Sequence, residues 1–221
     1  SFNQINFDNL PDKFVLKPIW GHTNLGVFLL ERNGEEFFDF HRKKSYTIEE
    51  LEKEFSKEKQ INSGSIMIEE LLVDNCKNYK IPLDYKFYTF NGKIELIMQR
   101  CVNKGPKMHN WEFKFYDNSW NEISNPLNKS NINLDLPKPK LSADLSKVAE
   151  EISSIIPLPF VRIDLYETTD GVAFGEFTFH PGNHWLFTDY WQKKLGKAYK
   201  KSFIQTKSFE SASKDLLNKI R

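Results

Sequence analysis

The sequence is short of cysteine, arginine and net charge. Its two cysteines, Cys76 and Cys101, give neither a disulfide framework nor the paired spacing of a zinc site, so a reducing compartment, the cytoplasm, is expected. Only 5 of the 31 cationic residues are arginine: Arg32, Arg42, Arg100, Arg162 and Arg221. Each therefore raises the question of whether its fork-shaped group has an oxyanion to hold. The balance of 31 Lys+Arg against 30 Asp+Glu leaves a formal charge of +1, which argues against non-specific nucleic-acid binding as the main theme. No apolar run approaches the roughly 20 residues of a membrane-spanning helix, and no charged-then-apolar leader opens the chain, so a soluble protein is expected.

What is present is apolar and aromatic. With 39% hydrophobic residues, 19 Phe, 8 Tyr and 5 Trp, the chain can bury a sizeable core in one domain or two small ones. Up to about residue 120, alternating runs punctuated by turns predict antiparallel strands over 13–17, 25–32, 35–40, 65–72, 84–90, 93–101 and 111–117. Asn33-Gly34 and Asn91-Gly92 each fall between two such runs, the strongest short hairpin signal. Thr47 and Glu50 form a capping box ahead of the apolar stripe Ile48, Leu51 and Phe55, which predicts a short surface helix. An Asn-, Pro- and Ser-rich connection over 118–141 leads to a helix capped by Ser142, with Leu145, Val148, Ala149, Ile152 and Ile156 on one face. Two strands, 160–166 and 172–179, follow. The end of the chain reads as helical and basic from Thr188.

The last hairpin carries the most chemical information. In Val161-Arg162-Ile163-Asp164-Leu165 the apolar and charged positions alternate, so Arg162 and Asp164 share one face. Glu176 and Thr178 alternate likewise with Phe177 and Phe179, which are expected to face inward. A three-residue loop of Thr169, Asp170 and Gly171 would set Asp164 opposite Glu176. Like charges directly opposed on a sheet are destabilising by up to about 1 kcal/mol unless a cation stands between them. Mg²⁺ suits such a pair, since it takes one or two carboxylates and completes its shell with water and phosphate. Arg162 pairing with Asp164 or Glu176 on a solvated outer face is the alternative. Elsewhere, Lys17 ends an apolar strand before a loop holding Gly21, His22, Thr23, Asn24 and Gly26, which could fold over phosphates. The run Glu69-Glu70-Leu71-Leu72 closes an apolar strand, and Asp84 and Lys86 open another. The five histidines show no zinc spacing, and the lysine-rich end could touch an anionic glycan or a membrane surface.

The order of these residues, together with the segments LPDKFVLKP, DYKFYTFNGK, FYDNSW and PFVRIDLYETTDGVAFGEFTFHPG, resembles the TupA-like ATP-grasp family over about residues 5–199. That family is associated with teichuronopeptide and related surface-polysaccharide biosynthesis. The resemblance implies an α+β, ATP-grasp-like fold with two antiparallel-sheet lobes and packed helices, sub-lobes about 1–80 and 81–200, and a basic helical tail over 201–221. It implies a cleft for ATP between the lobes, and a ligase that activates a carboxylate as an acyl phosphate for attack by an amine or similar nucleophile.

By position, Lys17 and the loop Gly21, His22, Thr23 and Asn24 would contact ATP phosphates. Glu69, Glu70, Leu71 and Leu72 would form the adenine hinge, with Asp84 near the ribose and Lys86 near the phosphates. Asp164, Glu176 and Thr178 would hold Mg²⁺, and Arg162 with Lys86 would act on the transferred group. A further lobe is expected ahead of the Lys17 strand, so the chain reads as a fragment or a reduced form. The family's Arg before FYD is replaced by Phe113-Lys114. The implied partners are ATP and a carboxylate-bearing sugar or amino acid, with a homo-oligomer compatible with the sequence. A nucleotide-binding protein without ligase activity and a carbohydrate-binding module are the alternatives.

Overall fold

The structure, a computed structural model, describes residues 2–19, 26–57, 65–76, 78–180 and 186–220, with side chains up to residue 206. The chain divides into two compact units. The first comprises Ser1–Ile81 with Val102–Trp111, and the second Pro82–Cys101 with Glu112–Arg221.

The first unit is a five-stranded antiparallel sheet. In chain order its strands are β1 (Lys13–Pro18), β2 (Phe28–Asn33), β3 (Glu36–Asp39), β4 (Lys44–Tyr46) and β5 (Ile66–Glu70), in spatial order β4-β3-β2-β1-β5. Helix α1 (Ile48–Ser56) starts with both halves of the capping box formed by Thr47 and Glu50. It sends Leu51 and Phe55 into a core of Phe7, Phe14, Leu16, Phe28, Leu30, Phe37 and Tyr46. Each such side chain withdrawn from water contributes about 1.5–3 kcal/mol, so ring packing rather than helix propensity fixes this unit. Arg32 donates to the Phe7 carbonyl and lies 5.2 Å from the Phe37 ring centroid, which ties the N-terminal turn to the sheet. The turn between β2 and β3 is shifted by one residue from its predicted place: Asn33 pairs with Glu36, and Gly34 takes the positive φ of +64°.

The second unit is built on a six-stranded sheet of order β11-β10-β6-β7-β8-β9. Its strands are β6 (Asp84–Phe90), β7 (Lys93–Cys101), β8 (Glu112–Tyr116), β9 (Asn131–Ile132), β10 (Val161–Thr168) and β11 (Gly171–Thr178). The Asn91-Gly92 reversal is a two-residue turn with both φ positive, as a right-twisted hairpin requires. One sheet face packs on helix α2 (Ser142–Ile155) and on Trp120, whose ring meets Tyr85 and Phe87 edge-on and whose Nε1 donates to Ser146 at 2.8 Å. The opposite face carries Tyr88, Leu96, Met98 and Phe115 under Phe187 and under Trp191 of helix α3 (Asp189–Ile220). Helix α3 runs without a break through residue 200.

Four further readings of the sequence require correction. Ser142 is the first helical residue of α2 and not its cap. Leu141 stands at the cap, and its amide donates to Glu167 Oε1 at 2.5 Å, so a distant strand carboxylate does the capping. The last hairpin turns through two residues, not three, because Thr168 pairs with Gly171. Phe177 and Phe179 do not face a core: they are 41% and 45% exposed, because β11 is the edge strand of its sheet. The polar face of β10, in turn, is not a solvated outer face, since Asp164 is only 1% exposed.

Candidate functional site

The cross-strand ladder assembles the charged residues. A two-residue turn alone would place Asp164 opposite Gly175. A bulge between Asp164 and Leu165 leaves Gly175 unpaired and moves Glu176 onto the rung with Asp164. A Cβ at Gly175 would stand 2.8 Å from Tyr166 Cε2 and 3.0 Å from the Asp164 carbonyl oxygen, so only glycine fits this bulge. On the other side of β10, Asp164 pairs with Lys86, Arg162 with Tyr88 and Tyr166 with Asp84. A second bulge leaves Glu95 unpaired in β7 and so aligns Asp84 with Arg100.

Three cations and three carboxylates result on one sheet face. Lys86 Nζ donates to Asp164 Oδ2 and lies 2.9 Å from Asp84 Oδ2. Arg100 Nη2 donates to the same Asp84 oxygen at 2.5 Å. Arg162 grips Asp164 with two bonds, 2.7 Å from Nε to Oδ1 and 2.8 Å from Nη2 to Oδ2, and reaches Glu176 Oε1 at 3.2 Å. The guanidinium thus stands between the two opposed acids, where their repulsion calls for a cation.

The electrostatics follow from burial. Loss of solvent alone would raise the Asp84 carboxyl, but Lys86 and Arg100 outweigh it and hold the group below its usual value. Glu176 goes the other way: partial burial and then the neighbouring Asp164 raise it, and Lys86 and Arg162 do not fully offset them. Burial pushes the Tyr88 phenol up to about 12, so it stays protonated beside Arg162. The rung of Asp164 and Glu176 therefore still has use for positive charge.

Hard oxygen donors of this kind fit Mg²⁺. Among the described residues no group of three or more His, Cys, Asp or Glu side chains could hold a metal by itself. Mg²⁺ needs only one or two carboxylates, and the exposed half of Glu176, at 65% side-chain exposure, supplies an accessible one. Thr178 stands on the same face, opposite Arg162. Asp84 Oδ1 is buried without a hydrogen-bond partner among the described residues, so this acid offers a further acceptor beside Lys86.

The remaining expected residues are placed as follows. Lys17 lies in β1 of the first unit, paired with Glu69 of β5 at 2.5 Å, both partly exposed. The Leu71 amide donates to the Lys13 carbonyl. In an antiparallel ladder of this register Glu69 bonds inward to β1 while the backbone groups of Glu70 face the open sheet edge. Leu72 follows the strand and is 36% exposed. Gly21, His22, Thr23 and Asn24 lie outside the described residues, as do Pro181, Gly182, His184 and Trp185. Lys114 is on the other face from the ion cluster, opposite Gln99, where it donates to the Leu134 and Leu136 carbonyls and pairs with Glu122.

Arg100, Tyr88 and Tyr166 join the cluster without having been singled out in the sequence. Simple alternation from the Asn91-Gly92 turn sets Asp84 opposite Gln99, so the bulge at Glu95 hid Arg100.

Comparison with known proteins adds the following. The fold is similar to that of a D-alanine-D-alanine ligase from Bacillus anthracis, with 16% identity, a TM-score of 0.52, and coverage of 92% of this chain and 60% of that one. A D-alanine-D-alanine ligase from Helicobacter pylori gives 17% identity, a TM-score of 0.46, and coverage of 90% and 49%. The chain thus spans about half to three-fifths of the length of these proteins. No curated protein matches it. The family model described as TupA-like ATPgrasp matches residues 1–201, and the chain belongs to that family.

Proposed function

We propose that this chain carries the nucleotide- and metal-binding part of an ATP- and Mg²⁺-dependent ligase. One observation carries the reading: Lys86 and Arg162 converge on Asp164, with Glu176 on the same rung. Phosphoryl transfer requires positioning and charge neutralisation more than covalent chemistry from the protein. A sheet face that fixes two acids and two cations by backbone register supplies both.

In the proposed reaction a substrate carboxylate oxygen attacks the γ-phosphorus of ATP, the bond to the ADP oxygen breaks, and an acyl phosphate forms. An amine or similar nucleophile then attacks the acyl carbon, loses its proton and expels phosphate. Lys86 donates to phosphate oxygens, and Arg162 steadies the transferred phosphoryl group or the acyl phosphate. Asp164 and Glu176, with Thr178 beside them, would hold Mg²⁺, which when bound neutralises phosphate charge. Asp84 keeps Lys86 and Arg100 in place and is assigned to the ribose side. Lys17 and the segment Gly21, His22, Thr23 and Asn24 are assigned to the phosphates, and Glu69 to Leu72 to the adenine edge. The substrate class is a carboxylate-bearing sugar or amino acid, in surface-polysaccharide or cell-envelope assembly in the cytoplasm.

A second reading, nucleotide binding without ligase activity, draws support from the engagement of both Asp164 oxygens by Lys86 and Arg162. The two readings separate in two steps. ATP with Mg²⁺ is expected to stabilise the full chain, by about 2.7 kcal/mol at 100 times the dissociation constant, and Glu176→Gln to remove the Mg²⁺-dependent part. No thermal shift with ATP and Mg²⁺ would refute both readings. A shift without ADP release in the presence of candidate carboxylates and amines would favour the second.

A further inference from the structure

Helix α3 divides its length between two surfaces. Trp191, Leu195, Ala198 and Ser202 repeat at three- and four-residue steps and face the body, with Trp191 and Ser202 buried. At 100° per residue, Lys193, Lys197, Lys200 and Lys201 fall within one solvent-facing arc of about 100°, and all four are exposed. Lys194 borders the arc, its ammonium 4.3 Å from the Trp191 ring centroid. No acidic residue occurs between Asp189 and Glu210, so the stripe has no counter-charge on its own helix over that stretch. Two apolar side chains stand inside the same arc: Tyr190, 69% exposed, and Ile204, 60% exposed. Phe203, 40% exposed, lies about 60° beyond the Lys200 edge of the arc, and Tyr199, stacked on it at 6.2 Å, lies further round the helix.

We propose that this face of α3 docks the protein on an anionic phospholipid surface. Cations interleaved with exposed aromatic and aliphatic groups match a bilayer interface, where ammonium groups meet lipid phosphates and rings reach the acyl boundary. The shape favours the same occupant. A convex helix side, about 25 Å long over residues 190–206, offers no concavity for a small ligand but lies flat along a surface. The stripe holds lysine and no arginine, which suits diffuse attraction to many phosphates better than bidentate reading of one. No helix among the described residues is long and apolar enough to cross a membrane, so the contact is one of lying on the surface. A neutral average charge of +1 conceals this local field.

The test is co-sedimentation of the full chain with vesicles of mixed phosphatidylglycerol and phosphatidylcholine, against phosphatidylcholine alone. Binding is expected only to the anionic vesicles, and it should fall steeply as salt is raised. Each neutralised lysine should weaken partitioning about fivefold. The triple variant Lys193→Gln, Lys197→Gln, Lys200→Gln should then lose on the order of a hundredfold, with unchanged circular dichroism. Absence of binding to anionic vesicles, or undiminished binding by the triple variant, would overturn the proposal. So would capture by heparin without vesicle binding, which would make the face a site for soluble polyanions. The salt series on the unmodified chain needs no variant and decides the electrostatic part by itself.

Discussion

Replacing Lys86 by methionine tests whether the ion cluster is a tightly coupled unit. Lys86 is 5% exposed, and its ammonium lies 2.9 Å from Asp84 and donates to Asp164. Methionine nearly matches the lysine stem in volume and would sit beside Met98, its neighbour on β7, so little packing is lost. What is lost is one of three cations facing three carboxylates in a region with little solvent. Removing one partner of a buried pair costs about 3–5 kcal/mol, a large share of a total stability of about 5–15 kcal/mol.

The cost should depend on pH in a definite direction. In the unmodified protein Asp84 is held below its unfolded-state value of 3.8, so its contribution is present above that value and lost as pH falls through the lower folded one. In the variant, burial is less compensated and the Asp84 carboxyl rises. Its penalty is then largest near neutrality and shrinks as acid protonates it. Urea denaturation near pH 7 and near pH 5, with hydrogen exchange of the β6 and β10 amides reporting the second unit alone, measures both quantities. A cost below about 1 kcal/mol at neutral pH, within the range of an exposed pair, would refute the reasoning. So would equal costs at the two pH values.

Two further changes probe the register. Gly175→Ala would force a methyl against Tyr166 and the Asp164 carbonyl; it should cost about 1–3 kcal/mol, as overpacking does, and weaken Mn²⁺ binding measured by paramagnetic resonance, while unaltered stability would show that the bulge relaxes freely. Glu176 is raised by burial and by Asp164, so its contribution is fullest below the unfolded-state value of 4.5 and declines as pH rises through the folded one. Glu176→Gln should remove that decline in a melting-temperature series across this window, and a steeper decline in the variant would contradict the assignment.

Much of the site was legible because strands alternate. Arg162 shares a face with Asp164, and Glu176 shares one with Thr178, by spacing alone, and Val161, Ile163 and Leu165 are buried on the other face of their strand as alternation requires. The pairing of Asp164 with Glu176 was anticipated through a three-residue loop, whereas the structure reaches it by a two-residue turn plus a bulge at Gly175. The two differences cancel. The bulge at Glu95 had no such cancellation, and it concealed the rung of Asp84 and Arg100. Exposure was the least legible feature, since Phe177 has the pattern of a core residue and is left uncovered by the edge position of β11.

The sequence by itself determined residue types, alternation, the capping box at Thr47 and the motifs that mark the family, because each depends on neighbours within a few positions. Tertiary structure alone decided which charges meet. Strand order set Lys86 beside Asp164 across 78 residues of chain, and two unpaired residues shifted whole strands by one position. The same step decided whether a polar face met water or was buried. A side chain's face is a local property, but its partner depends on the register of another strand, which no short stretch of sequence contains.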